Sequence, residues 1–356
     1  MPPDDVIQVT RGYERWLSRQ TDVVTADLKA KRRRMDESPF VFLRATYYRW
    51  AQQWGAAVSD VAAAPEVISV GDLHMENFGT WRDAEGRLIW GINDFDEAHA
   101  APYTNDLVRL ATSVLLAARA RQLRISPRVA CQAMVEGYAA NLARGGRPIV
   151  LAEQRRWLRA IAIEQLKDPA PFWRALVSDS TCVKGEFPAA VVKAAMPDPR
   201  LAHQVHRRRA GVGSLGRPRF VAIAQPGGAY IAREIKAVVP SAHAWVAGTR
   251  ARSADVTWLL DHAVRVSDPF YRFTKDWIVR RLAPDCTKLD IHALAEARDQ
   301  SRLLRAMGTE TANIHLASPT RAVIADLERR PTGWLYTAAS AMADATVADW
   351  KAWKKR

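Results

Sequence analysis

The sequence predicts an α+β fold, predominantly helical with a small antiparallel sheet. Three observations predict it. Long stretches carry helical patterning between recognisable starts and stops, as from Ser126-Pro127 through Ala143 to Gly145-Gly146. Two short apolar runs, Val67 to Val70 and Leu88 to Ile92, have the length and composition of buried strands, and each ends in carboxylates. Late in the chain, Arg219 to Gln225, Pro226-Gly227-Gly228 and Tyr230 to Val238 read as strand, turn and returning strand.

With 356 residues the chain can bury a large core, as one two-lobed unit or as two domains. Hydrophobic residues at 48% and charged residues at 25% are ordinary for a folded soluble protein. Lys and Arg exceed Asp and Glu by 52 to 38, a formal net charge of +14. That favours an anionic partner: nucleotide, phosphorylated metabolite, nucleic acid or acidic lipid. Cys131, Cys182 and Cys286 lie far apart and fit no metal-ligand spacing, so a reduced, cytoplasmic protein is the simple reading. The start carries no apolar signal core, and no run approaches the ~18 apolar residues a membrane span requires.

In chain order, residues 1–65 read as mostly helical. Arg11 to Lys31 is amphipathic and ends in Lys31-Arg32-Arg33-Arg34, a solvated helix end whose cations offset the C-terminal dipole, with an anion-binding patch as the alternative. Ser38-Pro39-Phe40 resets the chain, and Phe42 to Trp54 is a further helix whose aromatic stripes belong in the core. The first apolar run then delivers Gly71-Asp72-Leu73-His74, with Asn77 close behind. The second delivers Asn93-Asp94-Phe95-Asp96-Glu97. Burying a carboxylate is costly unless cations or hydrogen bonds compensate. Two strands that aim Asp72, Asn77 and Asp94 at one place therefore suggest a metal-phosphate site with hard oxygen ligands suited to Mg²⁺. Turns in which Asp and Asn cap their own backbone explain each residue singly, but poorly explain three at the ends of two buried runs.

Asn105 or Asp106 is the expected N-cap of an apolar helix running from Leu107 to about Arg121. Residues 150–205 read as helical and polar, broken at Pro169, Pro171, Pro188 and Pro197. Arg207-Arg208-Arg209 leads into Gly211-Val212-Gly213-Ser214-Leu215-Gly216, where glycines let backbone N–H groups approach a phosphate closely. Lys236 lies on the strand after the turn; an ordinary hairpin with an exposed lysine is the alternative for that segment alone. Trp277 to Leu282 reads as a strand, Asp290 to Ala317 as a long helix, and 320–356 as one or two helices ending in a frayed, solvated basic tail. The expected organisation is an N-terminal helical segment 1–65, an acidic-loop segment 66–205, a glycine-loop lobe 206–290 and C-terminal helices 291–356.

Gly71-Asp72-Leu73-His74-Met75-Glu76-Asn77 resembles the G-D-x-H-x-x-N catalytic loop of aminoglycoside-phosphotransferase-like kinases, and its Asp-to-Asn spacing equals that of the protein-kinase catalytic loop. Asn93-Asp94-Phe95-Asp96 resembles the metal-binding Asp-Phe-Gly segment, with Asp96 in place of Gly. More closely, the chain resembles a bacterial family known as domain of unknown function 2252. The shared motifs are Ser38-Pro39-Phe40-Val41-Phe42-Leu43-Arg44, the Gly71 and Asn93 segments, Asp106-Leu107-Val108-Arg109-Leu110 and the glycine loop. Ala45 follows Arg44 where the family usually has Gly.

The resemblance covers most of the chain and implies a protein-kinase-like, two-lobed fold that uses ATP and Mg²⁺. It implies that Asp72 positions the attacking hydroxyl, with His74 orienting the catalytic loop. Asn77 and Asp94 would hold the metal, and Asp96 would add a metal contact or, like Glu97, only hydrogen-bond the loop. Gly211, Gly213, Ser214 and Gly216 would cradle the nucleotide phosphates, with Lys236 contacting them. Arg44 would contact a substrate phosphate or form a structural ion pair, and Asp106 would brace the catalytic loop. Because the glycine loop and lysine follow the catalytic loop instead of preceding it, the implied fold is circularly permuted. The helix carrying Asn313-Ile314-His315 resembles the one that precedes the catalytic loop in such kinases. No Glu lies between Lys236 and Glu296, so the lysine's acidic partner would be Asp255, Asp261 or Glu234, or absent.

The expected function is an ATP- and Mg²⁺-dependent phosphotransferase acting on a small-molecule hydroxyl. One alternative keeps the fold and transfers AMP to a protein. Another is a catalytically degenerate kinase-like protein with a regulatory or nucleic-acid-binding role, motivated by the basic clusters at 31–34, 207–209 and 351–356, although no recognised nucleic-acid motif accompanies them. A metal phosphoesterase would fit Asp72-x-His74, but its further ligands are missing and His99 is badly spaced.

Overall fold

The apolar runs before the two acidic segments form strands, and each finds a partner that its own pattern does not announce. In the computed structural model, which describes residues 5–178, 181–183, 185–249 and 254–356, Glu66–Ser69 pairs antiparallel with His99–Pro102. Leu88–Ile92 pairs with Phe78–Arg82. The first pairing sends Asp72 and Glu97 out at the same end. The second opens next to Asn77 and Asp94, because Phe78 faces Ile92 and the Asn93 N–H donates to the Asn77 carbonyl at 3.1 Å.

The architecture is α+β, with long helices around two two-stranded sheets and one six-stranded antiparallel sheet. Thr104–Arg119 is buried on nearly every side, its polar Asn105, Asp106 and Arg109 included, and runs through the core. Pro127–Leu142, Ala297–His315 and Trp334–Lys354 pack around it. Ser126 caps the second of these helices from its side chain at 3.4 Å, and Gly145 and Gly146 follow its end at φ +74° and +83°.

The large sheet runs in the order Thr181–Cys182, His203–Arg207, Arg219–Ala224, Ile231–Ala237, Trp277–Leu282 and Arg272–Phe273. Strand alternation gives it two different faces. Phe220, Ala222, Ile235 and Val279 pack with Val192 and Met196 at the Ala189–Ala195 helix. On the other face, Val221, Ile223 and Ala232 pack with Leu176 of the helix Pro169–Ser178. The same strands continue on this second face with Arg219, Glu234, Lys236 and Arg280. These charged side chains face the two acidic loops.

Several boundaries differ from expectation. The Arg11 to Lys31 stretch is two helices, Val6–Leu17 and Thr25–Arg34, separated where the Val24 N–H leaves the helical pattern to bond the Gly216 carbonyl at 2.9 Å. Phe42 to Trp54 divides at Thr46 into Pro39–Ala45 and Tyr47–Ala57. The central helix begins at Thr104, so Asn105 and Asp106 sit inside its first turn and not at the cap. The helix expected from Asp290 starts at Ala297, after a short 3₁₀ turn at Ile291–Ala293. His203–Arg207 is a strand within a segment read as helical; Val205 is its only strongly apolar residue, so alternation is faint there. The C-terminal tail is docked: Trp353 is buried and Arg356 pairs with Asp36 at 2.7 Å. Among the described residues, no helix is long and apolar enough to cross a membrane.

Candidate active site

The Asp72 loop is fixed by its backbone before its side chains act. Gly71 has φ +82°, and a Cβ there would lie 2.3 Å from the Glu97 carbonyl oxygen. The Val70 and Gly71 N–H groups donate to the Asp106 carboxylate at 2.6 and 2.9 Å. Asp106 also meets His315 Nε2 at 3.0 Å, while His315 Nδ1 meets the Tyr138 hydroxyl at 2.7 Å. Asp106 and His315 thus form a buried brace beneath the loop. Gly71→Ala combines a left-handed backbone with a collision against main chain. It is expected to destabilise the protein by at least about 2 kcal/mol, read as a lower midpoint in urea unfolding.

Asp72 is clamped by Arg109, whose side chain is fully buried. Arg109 Nε donates to Asp72 Oδ1 at 2.8 Å, and Nη2 contacts the same oxygen. Nη2 also donates to the Leu43 carbonyl at 2.9 Å, and the guanidinium lies over the Tyr47 and Trp50 rings. Burial pushes the Asp72 carboxyl up to about 6, and the Arg109 charge only partly offsets that rise. His74 orders the loop: its N–H donates to Asn77 Oδ1 at 2.6 Å, and its ring Nδ1 accepts the Glu76 N–H at 3.2 Å. Burial, with Arg44, Lys288 and Arg109 nearby, holds its pKa well below the usual imidazole range.

Lys236 reaches the second acidic loop from the large sheet. Its Nζ lies 3.7 Å from Asp94 Oδ1 and in direct contact with Asp96 Oδ2. Asp94 is 40% exposed and faces the cleft, while Asp96 is 10% exposed. Burial opposes ionisation of Asp94, but Lys236, Arg280 and Arg219 hold its carboxyl well below the usual range. Burial and the Asp94 charge push the Asp96 carboxyl up. Arg217 bridges Asp96 at 3.4 Å and Glu97 at 2.8 Å, and Glu97 accepts the Ala242 N–H at 2.6 Å. Glu97 is thereby an anchor between segments. Asp96 is the acid that meets Lys236, in a position where neither Glu234 nor Asp261 was needed. Glu234 is enclosed by Arg208, Arg219 and Arg280, the last two at 3.0 and 2.5 Å. The Asp255 side chain lies outside the described residues.

The glycine loop closes against the Asp72 loop. Val212 and Leu215 are buried with Val6, Phe42 and Trp353, which pins the turn to the N-terminal helices. A Cβ on Gly213 would lie 2.9 Å from the Arg44 carbonyl oxygen and 3.5 Å from Asp72 Oδ2. Gly211 and Gly216 have φ +69° and +101°, and Ser214 Oγ accepts Arg219 Nη2 at 2.5 Å. Lys31, read as part of a solvated helix end, is instead buried and donates to the Gly213 carbonyl at 2.9 Å. Arg44 pairs with Glu76 at 2.9 Å and also lines the smaller of two cavities at the site, so the ion pair does not decide between its two expected roles.

Two cavities meet at Asn77, Asp94, Gly211, Ser214 and Lys288. The larger, about 380 Å³, lies along the charged face of the sheet and is lined by Arg208, Arg219 and Arg280. The smaller, about 70 Å³, lies between Asp72 and the glycine loop. The structure therefore brings nine of the ten sequence-selected site residues, Asp72, His74, Asn77, Asp94, Asp96, Gly211, Gly213, Ser214 and Lys236, to one region, whereas Gly216 turns away against Leu28. The sequence alone assigned no role at the site to Arg109, Arg217, Arg219, Arg280 or Lys288, and gave Lys31 only as part of a solvated helix end or an anion-binding patch. Arg109 was findable within Asp106-Leu107-Val108-Arg109-Leu110, and Arg280 from its alternation on Trp277–Leu282.

The donor set fits a hard divalent cation. Asp94 is ionised and open to the cleft, and Asp96 Oδ1 is buried without a hydrogen-bond partner. Asn77 Oδ1 spends one lone pair on the His74 N–H and retains another. Among the described residues no three His, Cys, Asp or Glu side chains group as metal ligands. Mg²⁺ needs no such group, since it binds through one or two carboxylates, waters and substrate phosphates.

The chain belongs to the family described as "Uncharacterized protein conserved in bacteria (DUF2252)", matched over residues 23–170 and 196–356. Those spans contain both acidic loops, the glycine loop and Lys236. No curated protein and no solved structure matches the chain.

Proposed function

We propose that this DUF2252 protein is an ATP- and Mg²⁺-dependent phosphotransferase with a circularly permuted, protein-kinase-like two-lobed fold, acting on a small-molecule hydroxyl. One observation carries the reading: Lys236, from the late sheet, meets Asp94 and Asp96 of the early acidic loop, while Gly213 lies against Asp72. An acidic floor and a cationic, glycine-rich roof enclose one cleft, as positioning of a polyphosphate requires. The excess of arginine and lysine along the larger cavity suits a triphosphate.

Asp94, Asn77 and Asp96 would hold Mg²⁺, which when bound neutralises charge on the phosphate oxygens. Lys236 and the backbone N–H groups of Gly211 to Ser214 bind and orient the phosphates. Arg109 pins Asp72 Oδ1, leaving Oδ2 to orient the acceptor hydroxyl and accept its proton. His74, neutral and committed to the loop, orients without transferring a proton. In a loose phosphoryl-transfer transition state such positioning matters more than full deprotonation.

Mass spectrometry of a metabolite pool incubated with the protein and ATP·Mg²⁺ tests this directly. A phosphate adduct on a hydroxyl compound is expected. An AMP adduct on protein identifies the alternative transferase, and unconsumed ATP contradicts both. The pH dependence has a definite sign. Asp72 must be ionised to accept a proton, so kcat/KM falls by about tenfold per pH unit below about 6. Asp72→Asn removes that acidic limb and lowers the rate by roughly 10²–10³-fold.

A further inference from the structure

The smaller cavity carries information about the acceptor, on the premise that the phosphotransferase reading holds. Each of its carboxylates meets a cation: Asp72 meets Arg109, Asp94 and Asp96 share Lys236, and Arg217 pairs with Asp96 and Glu97. Three of its lining cations, Lys31, Arg44 and Lys288, are matched less well. Arg44 and Lys288 share a single carboxylate, Glu76, at 2.9 and 3.7 Å. Arg44 Nε is buried without a hydrogen-bond partner. Among the described residues, Lys31 has no carboxylate within ion-pair distance. It is 5% exposed, and among the described residues its three-donor ammonium makes one hydrogen bond, to the Gly213 carbonyl. A buried cation with no directly paired carboxylate is costly: burial drives the Lys31 pKa down to about 8, although the charges of Glu14, Glu97 and Asp72 partly oppose that shift and the Tyr48 ring lies 5.8 Å from its ammonium. Gly213 ties Lys31 to the chemistry, since it accepts from Lys31 through its carbonyl and a Cβ on it would lie 3.5 Å from Asp72 Oδ2; the Arg44 and Lys288 side chains line the same cavity.

We infer that the acceptor is a small hydroxylated anion, whose carboxylate or phosphate sits at Lys31 and Arg44 while its hydroxyl meets Asp72. The cavity of about 70 Å³ has room for a handful of non-hydrogen atoms, which suits such a compound and not a protein segment or a multi-ring amine. The transfer balances simply. The acceptor oxygen bonds the γ-phosphorus as the bond from that phosphorus to the β–γ bridging oxygen breaks. ADP leaves with that bridging oxygen, and the hydroxyl proton passes to Asp72 and then to solvent.

Calorimetric titration of the full chain with glycerate, glycerol 1-phosphate, glycerol and ethanolamine tests this, each with and without a non-hydrolysable ATP analogue and Mg²⁺. At least one of the two anions is expected to bind about tenfold or more tightly than glycerol or ethanolamine. Lys31→Met should lose that preference and Lys31→Arg should keep it. The two arms of the anion set separate a carboxylate acceptor from a phosphorylated one. Equal binding of charged and uncharged probes, or anion binding unchanged in Lys31→Met, overturns the inference. If the nucleotide analogue binds and neither anion is preferred, only the acceptor assignment falls. If the anions bind through Lys31 and the nucleotide does not bind, the anion site stands and phosphoryl transfer falls.

Discussion

Asp94→Ala is expected to lower Mg²⁺-dependent ATP turnover by roughly 10³-fold while leaving the melting temperature close to that of the native chain. The two halves of this result have separate causes. Asp94 is the acid that opens to the cleft and is held ionised by Lys236, Arg280 and Arg219, so on the proposed reading its loss would remove the most available metal ligand. Its loss strands no cation, because Lys236 retains Asp96 and both arginines retain Glu234. Removing its charge also eases ionisation of Asp96, whose carboxyl Asp94 helps to push up. Turnover assays beside thermal melts check both halves. Undiminished turnover in a folded Asp94→Ala protein removes Asp94 from the chemistry.

Lys236→Met behaves in the opposite way, with a large loss of stability. Lys236 is 3% exposed, and its removal leaves buried Asp96 with Arg217 at 3.4 Å on one oxygen and no partner on the other. Breaking a buried pair from one side costs about 3–5 kcal/mol at neutral pH. The sign of the pH dependence follows from Asp96. Its folded-state carboxyl already lies above the unfolded value, and loss of Lys236 raises it further. A carboxyl with a raised folded pKa disfavours the fold when ionised, so stability lost in Lys236→Met at pH 7 returns as the pH falls and Asp96 takes up a proton. Urea unfolding at pH 7 and pH 5 should show the gap to the native chain narrowing at the lower pH. A gap of constant size means that Asp96 is not the group left unpaired. Lys236→Arg, which keeps the charge, should lose less at pH 7.

The α+β class and the convergence of the two acidic loops were legible because burial and chemistry point the same way there. A β-branched run ending in Gly-Asp is both a strand signal and an expensive place for a carboxylate, so Asp72 and Asp94 stand out in sequence. Trp277–Leu282 and the 219–237 hairpin were legible for the same reason of regular patterning. Lys31 was not. A run of four cations at a helix end reads as solvated, and nothing local reveals that the glycine loop folds over its first member. Arg217 and Glu97 likewise pair across distant segments, a contact that no local periodicity encodes. Partner strand His99–Pro102 was missed because His-Ala-Ala-Pro carries weak strand propensity until a neighbour pairs with it; Phe78–Arg82, with Phe, Thr and Trp, carried a strand signal that directly follows the Asn77 turn. The acidic partner of Lys236 was expected to be Asp255, Asp261 or Glu234, or absent, whereas the chain supplies Asp96, two residues beyond Asp94.

Calorimetric titration of ATP into the intact chain, with and without Mg²⁺ and then on Lys236→Ala, tests the shared cleft most directly. A phosphotransferase of the kind described gives saturable binding that requires Mg²⁺ and is lost with Lys236. Absence of binding, or binding indifferent to both the metal and Lys236, contradicts a triphosphate held between the early acidic loop and the late sheet.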